Sequence, residues 1–116
     1  MIIDLEGYAY YIKPGYTDMR KKAFGLSLIV QEIMKLKPFS KSVFIFCGRS
    51  RKILKAIVWD KNGWLEITKR LECHETFYWP TNEEEARLVT LEQVKGLLAG
   101  YDIFRALPEL HPKVVI

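Results

Sequence analysis

The sequence predicts an α+β fold: a small, mainly antiparallel sheet built around a β-meander, with two main helices, in the order β-α-β-β-β-(β)-α. Three observations predict it. The β-branched and aromatic runs "VFIFC" (43–47), "ILKAIVW" (53–59) and "WLEITKRL" (64–71) follow one another across the short loops "GRSRK" and "DKNG", the pattern of an antiparallel meander. Met19, Ala23, Leu26, Val30 and Ile33 recur at spacings of four and three, the period of an amphipathic helix. Further on, Thr90 and Gln93 form a capping box ahead of Leu91, Val94, Leu97 and Leu98.

Taken in chain order, "YAYYIK" (8–13) reads as a strand that stops at the turn dipeptide Pro14-Gly15. Thr17 and Asp18 are helix-capping types, so the first helix is expected over 18–37, with Pro38 as its stop. Arg20, Lys21 and Lys22 would then stand in its first turn. The helix dipole disfavours cations there by about 0.3–1 kcal/mol each, so an anion or an acidic partner bound at the helix start would offset the placement. Neutralisation by Asp18 is the alternative.

The second hairpin admits two registers. With Lys61-Asn62-Gly63 as a three-residue turn, Trp59 faces Leu65 and Ile57 faces Ile67, a core face that the Asn62-Gly63 pair favours. With four residues in the loop, Trp59 pairs with Trp64 on a face shared with Lys55 and Arg70, a stacking platform for bases. "TFYWP" (76–80) either adds a fourth strand or covers an edge, and Pro80 stops it. "TNEEEAR" (81–87) is a loop by composition, and Gly100 supplies the left-handed stop of the second helix. The helices are expected on one face of the sheet. The 116 residues fit a single domain, 1–116, with 103–116 an irregular tail whose Val114, Val115 and Ile116 could dock on the body.

Composition narrows the function classes. No stretch is long or apolar enough to span a membrane, and the N-terminus lacks an export pattern, so a soluble cytoplasmic protein is expected. Cys47 and Cys73 are too few for a disulfide framework. The net charge of +4 is unevenly spread: residues 41–70 carry eight basic and two acidic side chains, residues 71–116 four and eight. That asymmetry suits a basic face for phosphate or for an acidic partner.

Catalytic signals are weak. His74 and His111 have no companion at ligand spacing, Asp4, Asp18, Asp60 and Asp102 form no recognisable carboxylate site, and the chain has no P-loop, dinucleotide fingerprint or nucleophile elbow. No enzyme activity, metal or cofactor is expected. The binding candidates are the helix-start cations Arg20, Lys21 and Lys22 and the hairpin-tip cations Arg49, Arg51 and Lys52, with Lys55, Lys69 and Arg70 in second rank.

The segments "TDMRK" (17–21), Gly25-Leu26, "VFIFCGRSRK" (43–52), "LKAIVWDKNG" (54–63), "KRLE" (69–72), "FYWP" (77–80) and "LLAGYD" (97–102), in that order, resemble the small accessory protein of the second open reading frame of the "sixty-six" insertion-sequence family, usually called TnpB. It is distinct from the RNA-guided nuclease of the same name. The resemblance implies a non-enzymatic helper of a separate transposase, with a second small accessory protein and insertion-sequence DNA as the other partners. The chain departs from the family pattern at Ala23-Phe24-Gly25, where Phe-Asp-Gly is usual, and in lacking an Arg-rich tail.

Overall fold

The computed structural model describes residues 6–82 and 86–103. Strands β1 (Ala9–Tyr16), β2 (Ser42–Cys47), β3 (Ile53–Asp60), β4 (Gly63–Arg70) and β5 (Arg87–Val89) form one sheet in the order β4-β3-β2-β1-β5, with helices α1 (Ala23–Glu32) and α2 (Leu91–Leu98). The meander β2-β3-β4 is antiparallel, as expected. β1 and β2 are parallel, because the chain between them crosses over through α1. β5 lies antiparallel to β1 on its other side and takes Arg87 from the segment expected to be loop. Glu83, Glu84 and Glu85, and the expected tail from residue 104 onward, lie outside the described residues.

β2 holds the centre. All six of its residues are buried, since alternate side chains feed two cores. Phe44 and Phe46, with Ile57, receive Ala23, Leu26, Val30 and Met34 from the α1 side. Val43, Ile45 and Cys47, with Leu54 and Val58, pack with Val94 and Leu97 of α2 and with Phe77 and Trp79. The helices therefore cover opposite faces, not one. The physical reason is the uninterrupted apolar run of β2, which would otherwise leave one face in water.

β1 does not stop at Pro14-Gly15. Its pairing with β2 is irregular between Ile12 and Tyr16, Gly15 takes a φ of +81°, and the Gly15 N–H donates to the Pro80 carbonyl at 2.8 Å. A proline without a donor and a glycine free at positive φ make a bulge here, not a terminus. "TFYWP" covers this edge without becoming a strand: Trp79 donates from Nε1 to the Lys13 and Gly15 carbonyls, both at 3.0 Å.

α1 is shorter than its periodicity predicts. The Thr17 N–H donates to the Cys47 carbonyl at 2.8 Å, which extends the parallel pairing and keeps Thr17 out of the helix. Asp18 closes a turn instead of capping: its Oδ1 accepts from the Arg20 backbone N–H at 2.9 Å. The helix opens after Lys22, and no side chain caps it. It ends before Pro38 because Lys35 adopts a φ of +59° and the Leu36 N–H turns back to the Val30 carbonyl. α2 follows its sequence signature closely. Thr90 Oγ1 accepts from the Gln93 N–H at 3.1 Å, Gln93 Oε1 accepts from the Thr90 N–H at 2.9 Å, and Gly100 has a φ of +91°.

The second hairpin takes the register that Asn62-Gly63 argued against. Asp60 opposes Gly63 and Trp59 opposes Trp64, so Leu65 faces Val58 and Ile67 faces Ala56 on the α2 side. Asn-Gly favours a turn with both residues at its centre. Here Lys61, with a φ of +54°, and Asn62 take that place, and Gly63 is paired in the strand.

Cys47 and Cys73 diverge in environment. Cys47 is buried, and burial pushes its thiol up to about 12, against a smaller opposing effect of Arg51, while Cys73 is exposed. A thiol reagent at neutral pH is expected to modify Cys73 readily and Cys47 only in denaturant, read as one and then two labels by mass spectrometry. Two labels on the folded protein would contradict the buried placement.

Candidate nucleic-acid interface

The helix-start segment and the β2–β3 hairpin tip meet. Tyr16, Thr17, Asp18, Met19 and Arg20 from one side, and Gly48, Arg49, Ser50 and Ile53 from the other, line an open cleft of about 460 Å³. Gly48 permits the approach, since a Cβ there would lie 2.6 Å from Met19 Cγ. The cleft thus joins two cations, Arg20 and Arg49, that sequence reasoning had only been able to pair by assumption.

Their electrostatics differ. Arg20 donates from Nη2 to Asp18 Oδ2 at 2.8 Å and from Nε to Oδ1 at 3.0 Å, a two-point ion pair. These hydrogen bonds hold the Asp18 carboxyl well below the usual carboxylate range and raise the Arg20 guanidinium further. Arg20 is therefore exposed but half-neutralised, which is the alternative its sequence context raised. The Arg49 guanidinium sits over the Tyr16 ring, 5.7 Å from its centroid, and keeps its charge toward solvent. Arg51 is exposed at the same tip with a φ of +58°, and its backbone carbonyl accepts from the Phe77 N–H at 2.7 Å. Lys21 and Lys22 are exposed just before α1. With α1 opening at Ala23, neither these two nor Arg20 stands inside its first turn, so the dipole penalty falls mainly on Lys22 at the cap.

The remaining candidates separate. Lys52 Nζ donates to the Cys73 carbonyl and, at 2.7 Å, to the Glu75 carbonyl, tying down the segment after β4. Lys55 lies on the α1 face and is occupied twice, by Glu66 Oε1 at 3.1 Å and by the Lys21 carbonyl at 3.0 Å, so it braces the helix-start segment from below. Arg70 shares that face by register and is exposed. Lys69 is on the opposite face, where its Nζ donates to the Leu98 carbonyl at the end of α2. The structure does not bring it to the others, because a single position along a strand reverses the side chain's direction. The paired tryptophans lie on the α1 side with Phe39, Trp59 and Trp64 meeting edge-on at 5.2 Å and Phe39 closing on both.

Two features of this corner escaped the sequence. Tyr16 as the seat of Arg49 had no local signal. Thr17, read as a cap, has a buried hydroxyl with no hydrogen-bond partner among the described residues. Such a group costs about 1–3 kcal/mol, so Thr17→Val is expected to raise the unfolding free energy by about 1 kcal/mol in a urea titration. A loss of stability would mean that the hydroxyl has a partner in solution.

The chain is thus a small α+β protein with cations of two distant segments gathered at one corner. Among the described residues no three His, Cys, Asp or Glu side chains are grouped to hold a metal, and no helix is long and apolar enough to cross a membrane. The chain belongs to the IS66 Orf2-like protein family, whose model matches residues 8–107. That membership makes it an accessory protein of transposition, working beside a transposase in an insertion sequence. Among curated proteins it is similar to the uncharacterized protein y4hO of Sinorhizobium fredii, 41% identical over 92 residues that cover 79% of each chain. It is also similar to y4jC of the same strain, 29% identical over 86 residues, 74% of this chain and 73% of the other. No solved structure matches.

Proposed function

We propose that the protein is a non-enzymatic accessory factor that assists a separate transposase by binding insertion-sequence DNA through this basic corner, in the cytoplasm. One observation carries the reading: the helix-start segment and the hairpin tip, far apart in the chain, meet at one cleft, so that exposed cations of both segments share one corner. Arg49 and Arg51 at the hairpin tip, with Lys21 and Lys22 before α1, would contact phosphates, while Lys52 and Lys55, already bound to carbonyls, hold the two segments in shape. Contacts of this kind position a protein on a duplex without reading bases, so binding is expected to tolerate sequence.

Fluorescence anisotropy with terminal-repeat duplex, unrelated duplex and single strand over a salt series tests this. Phosphate contact requires affinity to fall steeply and linearly on logarithmic axes as salt rises. Absence of binding at low salt would sink the reading. The second reading is a protein-interaction module that docks on the transposase or the second accessory protein without DNA. The Asp18–Arg20 pair favours it, since a carboxylate inside the cleft repels phosphate.

A further inference from the structure

α1 is apolar on more of its surface than its packing uses. Ala23, Leu26 and Val30 seat it on the sheet. Away from the sheet it carries Phe24, 72% exposed, and Leu28, 39% exposed and one turn on, with Ile33, 55% exposed, just past the last turn. Of the charged and polar residues that a surface helix ordinarily presents there, α1 exposes only Gln31 and Glu32, both in its last turn. Cations bracket this apolar strip: Lys21 and Lys22 precede the helix, and Lys35 and Lys37, also exposed, follow it. Its first turn contains no acidic residue and its cap has no side-chain acceptor, so the positive end of the helix dipole is uncompensated within the helix.

We propose that the outer face of α1 is a docking surface for an acidic amphipathic segment of a protein partner. Phe24 and Leu28 would enter the partner's apolar stripe, and its carboxylates would meet Lys21 and Lys22 at one end and Lys35 and Lys37 at the other. A second copy of this chain does not fit. A two-fold contact along α1, parallel or antiparallel, sets cations against cations at both ends. DNA does not fit either, since phosphates gain nothing from an exposed phenylalanine and leucine. The surface goes beyond the DNA-binding corner, which it adjoins at Lys21 and Lys22.

The test uses the full chain and overlapping peptides of about twenty residues, a length suited to one helix in a groove, covering the transposase and the other accessory protein of the same element. Binding is expected for peptides that are both net acidic and amphipathic. Phe24→Ser/Leu28→Ser should weaken it by about tenfold or more while leaving the circular dichroism spectrum and DNA anisotropy of the chain unchanged and lowering its melting temperature by only a few degrees. Unchanged DNA anisotropy separates this surface from the basic corner, and the spectrum and melting temperature serve as the fold control if the chain binds no DNA at all. Three results would overturn the proposal: no acidic peptide binds, the double variant binds as well as the parent, or the chain alone sediments as a dimer that the double variant converts to monomer.

Discussion

Phe44→Ala is expected to lower the unfolding free energy by about 3–5 kcal/mol, seen as a lower urea midpoint at unchanged slope. Phe44 is fully buried in the central strand and stacks on Tyr11, with ring centroids 5.9 Å apart and planes inclined by 17°. With Phe46 and Ile57 it forms the floor on which Leu26 and Val30 rest. Removing the ring takes away transfer energy and also leaves a cavity that a strand hydrogen-bonded on both sides cannot collapse to fill. Because α1 begins at the basic corner, its loosening would also disturb the placement of Lys21 and Lys22. Leu88→Ala, on the short strand β5 and 62% exposed, is the control and should change stability by no more than about 0.5 kcal/mol. A cost below about 1.5 kcal/mol for Phe44→Ala would mean that α1 is not seated on β2 in solution.

The second large effect is on DNA. Arg49→Ala/Arg51→Ala is expected to weaken duplex binding at low salt by about a hundredfold, and to reduce the slope of log K against log salt by about 2, since each phosphate contact contributes about 0.9. Both side chains are exposed, so the melting temperature should hardly move beyond the small loss of the Arg49 contact with Tyr16. Lys69→Ala provides the contrast. It removes the same kind of charge from the opposite face, and costs only a hydrogen bond to the end of α2. With both variants compared at physiological salt, DNA affinity within about twofold of the parent is expected for it, because screening there limits a charge to about 8 Å. Equal losses from the tip variant and Lys69→Ala would indicate attraction by net charge alone, and the basic corner would lose its standing as a site.

Several elements were legible because their signals were local and consistent. The capping box at Thr90 and Gln93 concerns groups three residues apart, and nothing elsewhere in the fold competes for them. The meander was legible for a similar reason, since short loops between β-branched runs leave few alternatives to antiparallel pairing. The cations at 20–22 and 49–52 were also visible as clusters. Which of them remain available was not: Lys52 and Lys55 are committed to carbonyls contributed by distant segments, and Lys69 is turned to the other face.

The sequence by itself determined the class of fold, the apolar centre at 43–47, the boundaries of α2 and the two basic clusters. The tertiary structure decided where α1 begins, which hairpin register holds, that the helices take opposite faces, and that Arg20 meets Arg49 across a cleft. Each local preference in these cases is worth about 1 kcal/mol, and a competing interaction of similar size was available. Asp18 could cap a helix or close a turn on Arg20, and pairing of Thr17 with Cys47 tipped the balance toward the turn. Asn62-Gly63 could centre a turn or yield to a register that sets the half-buried Leu65 and Ile67 on the α2 side, and because a one-residue shift would turn both to the other face, their partial burial there outweighs the preference of two loop residues.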